Sequence, residues 1–576
     1  MRALSACCCA AVLVAATSLV APAQDAVARL SVTLHPQAAD ASGLIHAVDV
    51  RVCGEGFADG VHALQLAMPS VESNVQTVAE SIHSLQARDD DGVILFSRQD
   101  RSAGRGMVMW SAARAPHGQL CWSYSAPITN APNPLGAAPP LELRSEGAAF
   151  SGQASTFLFL PVSDRKFVFD LRWNLLDLPQ GSVGISTLGL GDVAMTHSMT
   201  GDEIGNLYFA AGALHLFPEQ PTAQGFISAI EGQPPFDGRM LMQWTEQLYR
   251  YYFSFFKPAA VGPYVVLLRR NPINAGGGVE LGNAFIGTFD KQADTTEFKM
   301  TLAHEMVHTF VRGLEGDEFA GSWFSEGLAV YYERLLPLRA ASITYDDYLR
   351  DVNATAARYY TNALMHTPNS GIGAQFWSET RVRVLPYDRG SLYFAKLDHE
   401  LRMHSNGKRS LDDLVAAMLD LRRQGRPVTE QAWRTLLKQE LGSQAVAEFE
   451  AMLRGDEVLP ASDAFGPCAL RSTAKLRRYD LGFEAAVLTE PTRIVRGLRT
   501  DSNAARAGLR NGDHILHPVP QDGIQGDQHA LLHLEVERNG RQMQIEYLPR
   551  GEEVDAYQWM LVSGADKNQC APAATR

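Results

Sequence analysis

The segment Thr301-Leu-Ala-His-Glu-Met-Val-His-Thr309 constrains this chain most, because it writes H-E-x-x-H inside a helical pattern. In a helix, His304 and His308 stand one turn apart on one face. Two neutral imidazoles can then converge on one metal ion while Glu305 projects beside them toward a bound water. The flanking residues carry helix signals: Asp294 as the cap, Glu297 as its capping-box partner, and Phe298, Leu302 and Met306 at a spacing of four for the buried side. A catalytic zinc site uses three protein ligands and keeps a fourth position open. Glu326, eighteen positions after His308 in the apolar run Ser322-Trp-Phe-Ser-Glu-Gly-Leu-Ala-Val-Tyr-Tyr-Glu333, supplies the missing carboxylate. The expectation is a hydrolase holding one Zn2+ per chain on His304, His308 and Glu326, with Glu305 as general base.

At 576 residues the chain has room for three or four domains, and 46% hydrophobic with 20% charged residues is ordinary for a soluble globular protein. A net charge of −13, with no basic cluster interleaved with aromatics, excludes a nucleic-acid partner from the expectations. Residues 1–23 read as a secretory signal: Arg2 is the positive end, Ala10 to Val20 the apolar run and Ala21-Pro-Ala23 the cleavage site. That run is too short for a stable membrane span, and no later stretch approaches the required length. Leu4-Ser-Ala-Cys7 is similar to a lipoprotein box but precedes the apolar run, which argues against lipidation. The expected location is periplasmic or secreted. Four cysteines remain after the signal, and their bunching favours Cys53 with Cys121 and Cys468 with Cys570, free buried thiols being the alternative.

From Gln24 to about Gln233, short runs such as Ala28–Leu34, Val48–Val52 and Phe157–Pro161 alternate with Gly, Pro, Asn and Asp. They predict an all-β sandwich-like domain over 24–235, with Ala126 to Pro140 as a Pro-rich surface connection. The period turns helical over Met240 to Phe256, and Pro263–Arg269 reads as a buried strand. The glycine-rich stretch Asn274–Ala284 then leads into an edge strand, where substrate backbone could approach closely and a carboxylate could bind a peptide's amino terminus; a plain turn is the bland alternative. From Leu392 to Leu453 the chain is helical.

HEMVH followed by WFSEGLAVYYE resembles the gluzincin metallopeptidases, in which the downstream glutamate of a similar motif is the third ligand. Aminopeptidases of that clan commonly have eighteen intervening residues; here there are seventeen. By this resemblance Glu333 is a partner for a ligating histidine, the alternative being a surface charge paired with Arg334. Gly277-Gly-Val-Glu280 looks like the clan's Gly-x-x-Glu motif on a strand before the zinc helix, which implies substrate binding by Gly277, Gly278 and Glu280, with Glu280 on the free amine. The glycyl aminopeptidase-like family usually has Gly-Gly-Leu-Glu-His there, and this chain ends the motif on Leu281. Pro386-Tyr-Asp-Arg-Gly390 resembles Pro-Tyr-x-x-Gly, which implies that Tyr387 donates to the tetrahedral oxyanion.

After Cys468, Arg478–Phe483 resembles the carboxylate-binding loop of a PDZ domain. Ile494–Leu498, Asn503–Leu509 and Gly512–Ile515 resemble its following strand, helix and strand, with a hairpin at Asn539-Gly540. The whole order resembles the glycyl aminopeptidase-like family of gluzincin zinc metallopeptidases. That resemblance implies a multidomain chain: a β domain (24–235), an α+β thermolysin-like catalytic domain with a helical lobe (236–465), and a PDZ-like β domain with its tail (466–576). It implies an aminopeptidase acting on peptide or protein substrates, with a peptide ligand for the PDZ groove. The alternatives are a zinc endopeptidase, and a PDZ-based peptide-binding scaffold whose metal site is vestigial.

Overall fold

Along Arg29–Pro36 and Ala47–Glu55 every second side chain is buried, so Leu30, Val32, Val50 and Val52 share one face. The two strands pair antiparallel with Val32 opposite Val52, at the heart of a seven-stranded sheet. The computed structural model describes residues 28–57, 64–101, 106–131, 139–221, 225–258, 262–271, 277–291, 293, 295–519 and 521–572, without the side chains of 100, 101, 297 and 568. The signal segment, the Asp294 cap, the side chain of Glu297 and residues 132–138 of the Pro-rich connection lie outside them.

A four-stranded and a five-stranded sheet complete the N-terminal part around one apolar core. Of the predicted strand Phe157–Pro161, only Leu160–Pro161 is a strand. The run lacks polar alternation because Phe157, Leu158 and Phe159 cross the core fully buried. Their backbone finds other partners: Tyr124 Oη donates to the Phe157 carbonyl and accepts from the Phe159 N–H, both at 2.9 Å. Cys53 and Cys121 face each other across paired strands and are bridged, and Cys468 is bridged to Cys570.

The sheet that carries the site has five strands. Tyr264–Arg270 is central and parallel to both Phe226–Glu231 and Ala284–Phe289, with Gly278–Glu280 antiparallel at the edge. Its near-continuous burial matches a parallel sheet covered on both faces. This sheet takes His215–Phe217 and Phe226–Glu231 from before residue 236, because parallel strands require a crossover and the helix Gly238–Phe256 supplies it. Four helices build the lobe around the site: Thr295–Phe310 (the histidine helix), Glu318–Arg339 (the glutamate helix), Tyr345–Tyr360 (the bracing helix) and Leu385–Ser405 (the tyrosine helix). Phe298, Leu302 and Met306 are buried as their spacing predicts.

The C-terminal part is divided. A two-stranded ribbon, Ala469–Tyr479 with Arg550–Leu561, packs through Trp559 and Ala556 into the core of the helical lobe. A four-stranded sheet with the short helices Asn503–Arg506 and Asp522–Gly526 has a small core of its own. Asn539 and Gly540, both at positive φ, make the hairpin turn there. Among the described residues, no helix is long and apolar enough to cross a membrane.

Candidate active site

Asp317 caps the glutamate helix by accepting from the Ala320 N–H at 2.8 Å, which fixes where that helix begins. Gly327 and Gly390 let the glutamate and tyrosine helices cross backbone to backbone. A methyl on Gly327 would lie 2.6 Å from Gly390 Cα, and one on Gly390 would lie 2.5 Å from the Trp323 carbonyl oxygen. The crossing sets Glu326, next to Gly327, and Tyr387, three residues before Gly390, around the two histidines.

Three atoms then converge. His304 Nε2 and His308 Nε2 are 3.3 Å apart, and each is 3.3 Å from Glu326 Oε2. Ligand atoms held tetrahedrally at about 2.0–2.1 Å from one zinc ion are separated by roughly 3.3–3.4 Å. The triangle thus has the edge length such an ion requires. Its chemistry agrees. His304 Nδ1 lies 2.6 Å from Glu333 Oε2, and with its proton donated there His304 turns the lone pair of Nε2 inward. Two imidazole lone pairs and a carboxylate oxygen pointing at one another call for a cation. Burial opposes charge on both histidines, yet the carboxylates, chiefly Glu326, outweigh it and hold their pKa values above the ordinary range. Burial likewise pushes Glu326 up, and the two histidines pull it down further. Among the described residues this is the single cluster of His, Cys, Asp and Glu able to hold a metal.

Glu305 stands beside the triangle without joining it. Burial raises its pKa against the pull of His304 and His308, and the backbone N–H of Glu280 donates to its carboxylate. That contact ties the edge strand to the histidine helix. Glu280, raised to about 7 chiefly by burial and also by Glu305, offers a half-buried carboxylate with no ion pair of its own among the described residues. Gly278 is required for packing: a methyl there would lie 2.1 Å from the Phe285 ring, whereas Gly277 faces open space. The Tyr387 ring lies 5.8 Å from that of His304, at 17°. Burial, then the Glu326, Glu305 and Asp522 carboxylates, holds its phenol well above the usual pKa, so it is a proton donor throughout the physiological range. Arg334 pairs with Asp351 at 3.1 Å, leaving Glu333 to His304.

The structure thus brings His304, His308, Glu326, Glu333, Glu305, Tyr387 and Glu280 together. Sequence reasoning missed the Glu280 backbone contact, which has no side-chain signature, and the helix crossing, whose signal was a glycine inside each helical pattern.

No protein-family model matches the chain, and no curated protein does. An aminopeptidase N family protein from Idiomarina loihiensis superposes with a TM-score of 0.65 at 16% identity, over 92% of this chain and 98% of that one. The two share a fold. An M1 zinc metallopeptidase from Deinococcus radiodurans also aligns, with a TM-score of 0.43 at 16% identity over 75% of this chain and 94% of its own.

Proposed function

We propose that the chain is a zinc metallopeptidase that releases residues from the amino termini of peptides. The observation that carries this reading is the 3.3 Å triangle of His304, His308 and Glu326, with a carboxylate, Glu305, and a phenol, Tyr387, beside it but not in it. A structural metal would take four protein ligands and would have no use for either. The ion, when bound, supplies a Lewis acid for the scissile carbonyl and lowers the pKa of water. Glu305 takes a proton from the attacking water and returns it to the leaving amine. Its raised pKa makes it a carboxylate that both accepts and gives up that proton readily. Tyr387 donates to the developing oxyanion. Glu333 holds His304 in the tautomer and orientation a ligand needs.

Glu280 directs the chemistry to an amino terminus. A half-buried carboxylate with no ion pair among the described residues is matched by a substrate ammonium, and the edge strand beside it offers backbone groups to an extended peptide. Gly277, facing open space, leaves room for that approach. We read the chain as a β domain, a catalytic domain and a PDZ-like C-terminal domain that is exported, and two disulfides support the oxidising compartment. In the PDZ-like domain the segment after the loop at Arg478–Phe483 is a 3-10 turn, Ala485–Thr489, with Val487 and Leu488 buried. The strand after it is only Arg493–Ile494. Strand addition by a peptide ligand has little edge to use there.

Zinc content and hydrolysis of aminoacyl reporters, set against N-acetylated and internally quenched peptides, test the reading. One zinc per chain with strong preference for free amines supports it. Equal rates on free and acetylated peptides would replace the aminopeptidase with an endopeptidase.

A further inference from the structure

Besides its ribbon, the C-terminal domain reaches the catalytic part through the five-residue helix Asp522–Gly526. This helix packs against the bracing helix so closely that a methyl on Gly526 would stand 2.9 Å from the Ala354 carbonyl oxygen. Arg550, from the domain's own ribbon, fixes the helix from behind by donating to the carbonyl of Ile524 at 2.5 Å and to that of Asp527. Its front is polar. The Asp522 carboxylate accepts from Thr380 Oγ1 at 2.5 Å and from Arg383 at 3.1 Å (Nε) and 2.8 Å (Nη2), and Gln525 Nε2 donates to Thr380 Oγ1 at 2.9 Å.

The position of those partners matters. Arg383 is four residues before Tyr387 and ends the turn Thr380–Arg383, after which the tyrosine helix begins at Leu385. Tyr387 therefore lies in the first turn of its helix, where the earliest N–H groups have no partner within the helix. Side chains add to its hold. Asp388, the next residue, is fully buried and takes a bidentate pair from Arg358 at 2.6 and 2.8 Å. The same Arg358 donates to the Asp522 carbonyl at 3.2 Å. Arg383, before Tyr387, is thus anchored on the five-residue helix directly, and Asp388, after it, through Arg358 of the bracing helix. The phenol also lies within the field of Asp522, which opposes its ionisation, and of Arg383, which favours it.

We propose that Asp522 of the C-terminal domain is a positioning residue for Tyr387, acting through Arg383 to fix the first turn of the tyrosine helix, so that the C-terminal domain completes the active site. The inference rests on Tyr387 serving the reaction as described above. Half of the Asp522 side chain, 46%, is exposed, so an isosteric change there is tolerated by the fold.

The test uses the full-length zinc-loaded chain with Asp522→Asn, Tyr387→Phe and the double variant. Asp522→Asn is expected to lower kcat about tenfold on a free-amine reporter, with KM and zinc content little changed, as for a reacting group moved slightly off its line. In the Tyr387→Phe background the same change is expected to cost nothing further, because its effect passes through the phenol. Asp522→Glu, which keeps the charge, should recover part of the rate. A second readout needs no activity: the 13Cζ resonance of Tyr387, assigned by its loss in Tyr387→Phe, should shift in Asp522→Asn. An unshifted resonance, or rate losses that simply multiply in the double variant, overturns the proposal. A shifted resonance in a chain that hydrolyses no peptide would leave the positioning role standing and remove the peptidase reading.

Discussion

Two seams join the catalytic part to its neighbours, and they are built differently. Toward the N-terminal part, Ile185, Tyr208 and Ala210 pack against Ile227, Val265 and Ile286 of the five-stranded sheet. The charges in that seam are sealed in: Arg269 is 2% exposed and lies 2.8 Å from Glu142, while Ser151 donates to Glu231 at 2.6 Å. Toward the C-terminal domain, the pair Arg383–Asp522 is partly open to water and stands one helical turn from Tyr387. Exposed ion pairs add little stability, whereas a buried group left unsatisfied costs several kcal/mol. The first seam can weld two parts together. In the second the ribbon does the welding, with Trp559 and Ala556 in the core of the helical lobe, and the Arg383–Asp522 pair is left well placed to set the geometry of a reacting group.

This contrast collapses if the site is not catalytic, so the largest effect is expected at Glu305. Glu305→Gln should reduce kcat roughly a hundred- to ten-thousandfold while zinc stays bound, since Glu305 is a base and not a ligand. Glu326→Ala should instead weaken zinc markedly. Atomic absorption alongside kinetics separates the two, and zinc lost together with activity in Glu305→Gln would reassign that residue.

Acetylating the substrate amine should lower kcat/KM by roughly thirty- to a thousandfold, on the order of 2–4 kcal/mol, by removing a charge-assisted hydrogen bond to Glu280. Glu280→Ala should slow free-amine substrates strongly and acetylated ones little. Comparing the four rates sharpens what the edge strand contributes relative to either seam.

In the first seam a change should move stability and leave catalysis alone. Burial is the main cause that raises Glu231 from its usual 4.5 to about 7, so the folded chain takes up a proton there that the unfolded chain has already lost. Its favourable contribution is complete below about pH 4.5 and disappears as the pH rises through 7. Glu231→Gln should therefore stabilise the chain by about 3 kcal/mol at pH 8, with the gain fading toward pH 4, in denaturant titrations at both pH values. A slower enzyme would show that this seam also reaches the site.

The smallest effect is expected where the helices cross. Gly390→Ala adds one methyl against the Trp323 carbonyl and should cost about 1–3 kcal/mol, seen as a lower melting temperature, with kcat falling as Glu326 and Tyr387 shift together. An unchanged melting temperature would mean that the crossing can open without cost.

The chemistry-bearing residues were legible because helices are local. His304, Glu305 and His308 have their relative positions dictated by 3.6 residues per turn, whatever surrounds them. The same periodicity buried Phe298, Leu302 and Met306, and alternation placed the strands at Arg29–Pro36 and Ala47–Glu55. Where alternation was absent, at Phe157–Phe159, pattern could not distinguish a strand from chain crossing the core, since both are simply apolar. The convergence of Glu326 on the histidines, the crossing at Gly327 and Gly390, and the hold of Asp522 on the turn before Tyr387 join residues tens to more than a hundred positions apart. No periodicity links such positions. An arginine, an aspartate and two helical glycines look ordinary in the sequence, and their partners are assigned only when the packing of helices and domains brings particular backbones within contact.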